Sequence, residues 1–129
     1  MWSRIISISF TASLVLAWPD NLFAQKDNLK FERIAIEQGL SQNTIYCILQ
    51  DRKGFMWFGT QDGLNKFDGY DFKVYKHDPQ NPNSLSNNVV RAIHESRDGT
   101  LWIGTNGGGL NKLVLEGTHR TEETITKYK

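Results

Sequence analysis

Asp51-Arg52-Lys53-Gly54-Phe55-Met56-Trp57-Phe58-Gly59-Thr60 has a second copy further along the chain, Ser96-Arg97-Asp98-Gly99-Thr100-Leu101-Trp102-Ile103-Gly104-Thr105. The offset is 45 residues, and the likeness extends on both sides. Upstream, Leu40-Ser41-Gln42-Asn43 matches Leu85-Ser86-Asn87-Asn88. Downstream, with Gly109 taken as an insertion, Leu64-Asn65-Lys66 matches Leu110-Asn111-Lys112. Aligning 40–66 with 85–112 leaves 13 identities in 27 pairs. A period of this length marks stacked supersecondary units, each burying its apolar surface against the next.

Each period reads as four short strands. Thr44–Leu49 and Val89–His94 are rich in β-formers and lead into turns carrying Gly54 and Gly99. Strands are predicted over 45–50, 56–60, 64–67 and 72–76, and again over 90–95, 101–105, 110–115 and 124–128. Asp68-Gly69 supplies a hairpin turn signal. Ile45, Cys47 and Leu49 alternate with Tyr46 and Ile48, so both faces of that strand carry apolar residues. A sheet with one wet face alternates apolar and polar more cleanly. Strands pressed between neighbouring sheets do not, which describes β-propeller blades. The expected fold class is all-β, with four-stranded antiparallel blades over 40–84 and 85–129 as part of an incomplete β-propeller.

Phe31–Ile36 precedes Gly39-Leu40-Ser41 as Phe72–Lys76 precedes Leu85-Ser86. Segment 25–39 is therefore predicted to hold a ninth, orphan strand, the kind that closes the last blade of a complete propeller. The chain stops after Tyr128-Lys129, where the pattern would continue as His-Asp-Pro. On this reading it is a truncated propeller whose outer blade faces are bare, and self-association is expected.

Composition narrows the function classes. Among 129 residues, 15 Lys and Arg balance 14 Asp and Glu, for a net charge of +1. That balance argues against nucleic acid as the main partner and against an acidic disordered tail. The single cysteine, Cys47, excludes an intramolecular disulfide and a multi-cysteine metal site. At the N-terminus Arg4 precedes an uncharged run, Ile5–Trp18, and Pro19-Asp20-Asn21 breaks it before Ala24. This order predicts a signal peptide over 1–24, cut after Ala24, and export to the periplasm. Leu22, three residues before the cut, is larger than usual there. No membrane span is expected in the mature chain.

The two Trp-centred stretches resemble the two-component regulator propeller repeat, roughly acidic-x-x-Gly-x-Leu-Trp-Ile-Gly-Thr followed by a Gly-rich turn and Leu-x-x-Phe/Leu. The linker Lys76-His77-Asp78-Pro79-Gln80-Asn81-Pro82-Asn83-Ser84-Leu85-Ser86 resembles that family's inter-blade connection. The resemblance covers about residues 30–129. It implies a periplasmic sensor propeller of a hybrid two-component histidine kinase from Bacteroidetes-like bacteria, many of which detect glycan fragments. It further implies that this chain is non-enzymatic, that its partners are an oligosaccharide and the remaining blades, and that the kinase lies elsewhere.

On this reading the ligand meets loops Gly39–Asn43, Gln61–Gly63, Ser84–Asn88 and Asn106–Gly109, through Ser41, Gln42, Asn43, Gln61, Asp62, Asn87, Asn88 and Asn106. Trp57, Trp102, Gly59 and Gly104, at matching repeat positions, are assigned to the structural core. Cys47 aligns with Ala92 and reads as a small filler. His77, His94 and His119 fall at unrelated repeat positions with no metal-ligand spacing, so neither metal nor cofactor is expected. Asp20, Asp51, Asp62 and Asp68 suit turns. Gly104-Thr105-Asn106-Gly107-Gly108-Gly109-Leu110 lacks the lysine and the following helix of a phosphate loop. The recurrence of Asn65-Lys66 as Asn111-Lys112 points to a structural role. Two other classes remain open: part of a propeller lyase or hydrolase, whose catalytic groups come from several blades, and a protein-interaction scaffold. Fold alone does not choose among them.

Overall fold

The computed structural model describes residues 30–115 and 123–129. The expected signal segment, Met1–Ala24, lies outside them. Eight strands follow in order: β1 (Ile45–Gln50), β2 (Met56–Thr60), β3 (Gly63–Phe67), β4 (Phe72–Tyr75), β5 (Val90–Glu95), β6 (Leu101–Thr105), β7 (Gly109–Leu115) and β8 (Glu123–Tyr128). They form two four-stranded antiparallel sheets, β1-β2-β3-β4 and β5-β6-β7-β8, each strand paired with its sequence neighbour. The all-β, bladed architecture read from the repeat is present, with strand limits within a residue of those expected.

Residues directly opposite in an antiparallel pair share a face, so the register assigns the faces. One face of the first sheet carries Cys47, Leu49, Trp57, Gly59, Leu64, Lys66, Lys73 and Tyr75. It packs against the face of the second sheet that carries Ile93, Leu101, Ile103, Leu113, Leu115 and Ile125. Val90 at the start of β5 and Leu85 from the connecting segment complete a core in which Trp57, Leu64, Leu101, Ile103 and Leu113 have no exposed surface. Each such side chain contributes about 1.5–3 kcal/mol by leaving water.

The two innermost strands share an irregularity. The register slips between Ile45 and Cys47 in β1 and between Val90 and Ala92 in β5, so Tyr46 and Arg91 are the extra residues of equivalent β-bulges. They meet across the blades, with the Arg91 guanidinium 4.0 Å from the centre of the Tyr46 ring. The insertion in the second repeat is also located. Gly63 (φ 121°) pairs with Thr60, and a Cβ there would stand 2.7 Å from the Tyr75 carbonyl. Gly109 (φ 83°) pairs with Thr105 and lies as tightly against the Tyr128 carbonyl. Gly109 is thus the counterpart of Gly63, and the extra residue belongs to Asn106–Gly108.

The predicted orphan strand is corrected. Residues 30–34 form no strand, and Ile36–Gln38 is a 3-10 turn. The backbone groups that a ladder would need are spent locally. Ala35 N–H donates to Gln38 Oε1 (2.8 Å), Gln38 N–H to the Ala35 carbonyl (3.1 Å), and Ile36 N–H to Asn43 Oδ1 (3.1 Å). Gly39 lies against the Phe72 ring, and Ala35 and Leu40 are buried. Leu40 stands before β1 as the buried Leu85 stands before β5.

Candidate functional site

Where each blade is entered, the chain is held by a lock that occurs twice. Ser41 N–H donates to Asn65 Oδ1 (2.9 Å), Asn65 Nδ2 donates to Ser41 Oγ (2.8 Å), and that hydroxyl meets Thr60 Oγ1 (3.0 Å). Thr60 Oγ1 in turn donates to the Gly63 carbonyl (3.0 Å). Ser86, Asn111, Thr105 and Gly109 repeat it at 2.9, 2.9, 2.9 and 3.0 Å. Asn65 and Asn111 are completely buried, so each satisfied amide fixes one approach of the connecting segment to its blade. The structural role expected of Asn65 and Asn111 is found, and Ser41 belongs to it.

Several other residues expected to face a ligand also have hydrogen-bond or ion-pair partners within the chain. Gln42 Oε1 accepts from Thr44 N–H (3.2 Å), Asn87 Oδ1 from Val89 N–H (2.8 Å), and Asn88 Oδ1 from His77 N–H (2.7 Å). Asn43 holds the Ile36 amide, and Asp62 pairs with Lys76 Nζ at 2.7 Å. Amide side chains in tight loops satisfy nearby backbone donors first. Gln61 and Asn106 keep exposed side chains while their backbone amides bond to the Thr44 and Val89 carbonyls.

Around these loops lies a cleft of about 560 Å³ lined by His77, Ser86, Gly107, Gly108, Gly109, Lys127 and Lys129. It joins two of the four expected loops. The His77 ring sits 2.7 Å from the Leu85 carbonyl, which orients it at the cleft wall. A second, open groove of about 620 Å³ runs between β4 and β8, past Tyr75, Asp78, Asn81, Asn83 and Glu123. Among the described residues no group of three or more His, Cys, Asp or Glu is placed to hold a metal ion.

Polar clamps join the blades at two further points. At the β1–β2 turn, Arg52 Nε pairs with Glu95 (3.0 Å), its guanidinium bonds the Ser96 (3.0 Å) and Arg97 carbonyls, and its N–H donates to Glu95 (3.0 Å). At the outer strands, Glu123 of β8 takes Lys73, the Tyr75 hydroxyl and Lys66. Burial alone would raise the Glu123 carboxyl; the hydrogen bonds from Lys73 and Tyr75 and the charges of Lys73 and Lys66 overcome it and hold it below its ordinary range. Burial first, then the Glu123 bond and charge, push the Tyr75 hydroxyl far above its ordinary value. Burial also raises the Cys47 thiol, against a weaker opposing hydrogen bond from Gly59. Sequence comparison missed Glu123 because the first repeat has no acid at that register position.

The core assignment divides between the repeats. Trp57 is fully buried and stacks on Tyr75 at 5.8 Å, while Trp102, in the same register beside Tyr128 at 5.9 Å, is half-buried. Gly59 is buried, with Val90 packed onto it, and Gly104 is partly open. Trp102 and Gly104 lie on the second blade's outer face, which neither sheet covers.

The two component regulator propeller model matches residues 39–62 and 84–107. Over those two segments the chain is similar to two component regulator propeller repeats. The chain is 47% identical over 65 residues to a histidine kinase of Formosa agariphila, a stretch that is 50% of this chain and 5% of that protein. It is also similar to the extracellular domain of a protein described as a hybrid two component system of B. thetaiotaomicron. There the identity is 35% and the TM-score 0.66, over 76% of this chain and 13% of that one. The chain thus spans a small part of the length of both. Each matched segment opens at the serine lock and ends in the β2–β3 or β6–β7 turn. The asparagine that closes the lock lies just beyond it.

Proposed function

We propose that this chain is part of a ligand-sensing, non-catalytic propeller of a hybrid two-component system, exported to the periplasm, with a glycan fragment as ligand. The observation that carries the reading is its likeness to an extracellular domain of such a system, over three quarters of this chain, combined with two repeats of the same family. The cleft between loops 84–88 and 106–109 is the proposed contact region, because it joins two inter-strand loops and offers His77, Ser86 and two lysines at a backbone opened by three glycines. Hydroxyl-rich ligands are recognised through such polar groups around an accessible backbone. Signal transmission on this reading belongs to parts of the system outside the described residues.

The test is calorimetric titration of the chain with neutral and uronate-containing oligosaccharides, from disaccharide to octasaccharide. Saturable binding that weakens at least tenfold on Lys127→Ala with Lys129→Ala, in a variant that melts as a folded protein, supports the reading. Absence of binding across the panel by folded protein rejects it.

A further inference from the structure

We propose that the cleft between loops 84–88 and 106–109 takes a sugar bearing an oxyanion, a uronate carboxylate or a sulfate ester, and discriminates against neutral sugars. The proposal rests on the glycan-sensing reading of this same cleft and names the class of ligand it selects.

The two blades differ in charge at this end. On the first blade, Asp62 stands alone between Gln61 and Gly63, and its carboxylate takes Lys76 Nζ at 2.7 Å. Val74, opposite the buried Asn65, is the apolar neighbour. On the second blade, Lys129 follows Tyr128 as Lys76 follows Tyr75. Its acid is gone, because Gly107 and Gly108 fill the stretch between Asn106 and Gly109. Lys127, opposite the buried Asn111, replaces Val74. The first blade thus balances one acid against one lysine, while the second sets two lysines against none. Both lysines line the cleft with His77, and among the described residues no carboxylate side chain does. The terminal carboxylate carried by Lys129 offsets part of this charge without reversing it.

The floor of the cleft is bare backbone. A Cβ on Gly108 would stand 2.6 Å from both Ser86 Oγ and Thr105 Oγ1, so only glycine lies against the serine lock there. Gly107 (φ 79°) has nothing within 4 Å of its Cβ position, which leaves the approach to the backbone open. The sign of φ alternates here, positive at Gly107 and Gly109 and not at Gly108. Among the described residues no acceptor meets the Gly107 or Gly108 N–H. Successive amides in such a turn form a concavity for anions, and two ammonium groups beside it add charge-assisted hydrogen bonds. A neutral sugar laid over the lysines would strip water from them and return no charge. The Ser86 hydroxyl already serves Thr105 and Asn111, so selection falls to the lysines and the amides.

Calorimetric titration of the full chain with four tetrasaccharides tests this: tetragalacturonate, its full methyl ester, neutral galactotetraose and neocarratetraose sulfate. At least one of the two charged sugars should bind tenfold or more tighter than the ester and the neutral sugar. Which of them does so separates carboxylate from sulfate ester. The advantage should shrink as sodium chloride rises from about 0.05 to about 0.3 M. Lys127→Gln with Lys129→Gln should lower the charged sugar to the affinity of the ester. Gly107→Asp should weaken charged-sugar binding at least tenfold more than Gly107→Asn, since the two side chains match in shape and both tolerate positive φ. In NMR spectra the charged sugar should move the Gly107 and Gly108 amide signals further than the ester does. Equal affinity for charged and neutral sugars, or equal effects of Asp and Asn at position 107, overturns the charge selection and leaves the sensing reading standing. Binding of none of the four by folded protein rejects both.

Discussion

The indole Nε1 of Trp57 donates to Asp51 Oδ2 at 2.8 Å, and both side chains are buried. The other carboxylate oxygen accepts the Lys53 and Phe55 amides, at 2.9 and 3.0 Å. The acidic residue opening the repeat motif therefore fastens its tight turn to its tryptophan. In the second repeat Ser96 takes that position and spends its hydroxyl on Asp98 and the Thr100 carbonyl instead.

Replacing Asp51 should be costly in proportion to the donors it orphans. Asp51→Ala is expected to destabilise the chain by about 2–4 kcal/mol, given about 1–3 kcal/mol for an unsatisfied buried group. Asp51→Asn keeps one acceptor oxygen and should lose less. Ser96→Ala should lose about 1 kcal/mol or less. Urea denaturation of the three variants checks the ranking.

The tryptophans should differ despite their identical place in the motif. Trp57→Ala is expected to cost about 3–5 kcal/mol, and Trp102→Ala less than half of that, because water already reaches one side of it. Equal losses in thermal unfolding would contradict the burial difference between the two faces.

Gly59 and Gly104 should separate in the same way. A methyl at Gly59 collides with Cys47 Sγ and stands 2.7 Å from Val90 Cγ1, so Gly59→Ala should cost about 1–3 kcal/mol. Gly104→Ala meets only Ala92 at ordinary contact distance and should fall within about 0.5 kcal/mol of the parent. Melting temperatures of the pair give the comparison.

The Glu123 clamp should give stability two pH limits. The Glu123 carboxyl is lowered on folding, so its contribution is present above its unfolded value, near 4.5, and is lost as pH falls through the folded value. Tyr75 is raised on folding, so its contribution is present below its unfolded value, near 10, and declines as pH rises beyond it. Glu123→Gln should flatten the acid limb relative to the parent, and Tyr75→Phe the alkaline limb. Asp98, held at about 2 by Ser96 and the Thr100 amide, adds to the acid limb in both proteins and cancels in the comparison. Denaturation midpoints from pH 3 to 11 are the measurement.

The repeat made eight strands and their pairing legible, because period and turn residues are local signals. Phe31–Ile36 misled because strand propensity does not say whether an edge is there to receive it, and Gln38 and Asn43 offered its backbone nearer partners. Trp102 misled because equivalence in sequence is not equivalence in surroundings. The candidate loops were located correctly as loops, but Asn87, Asn88 and Gln42 could not be read as internal caps without the backbone amides they meet. The Glu123 clamp joins residues about fifty apart through a segment with no counterpart in the first repeat, and such a contact leaves no periodic trace.

The paired bulges at Tyr46 and Arg91 bear on how this chain tolerates length change. Tyr46 is the extra residue, so its deletion would leave Ile45 opposite Thr60 and Cys47 opposite Gly59, and would remove only the kink and the ring that Arg91 covers. Ser41 would keep its place on Asn65. The Asn106–Gly108 turn likewise carries one more residue than its counterpart and keeps both flanking strands in register. Single-residue length changes can therefore be absorbed at the bulge and at the turn without reversing the faces that a blade presents, whereas elsewhere in a strand they would turn side chains over.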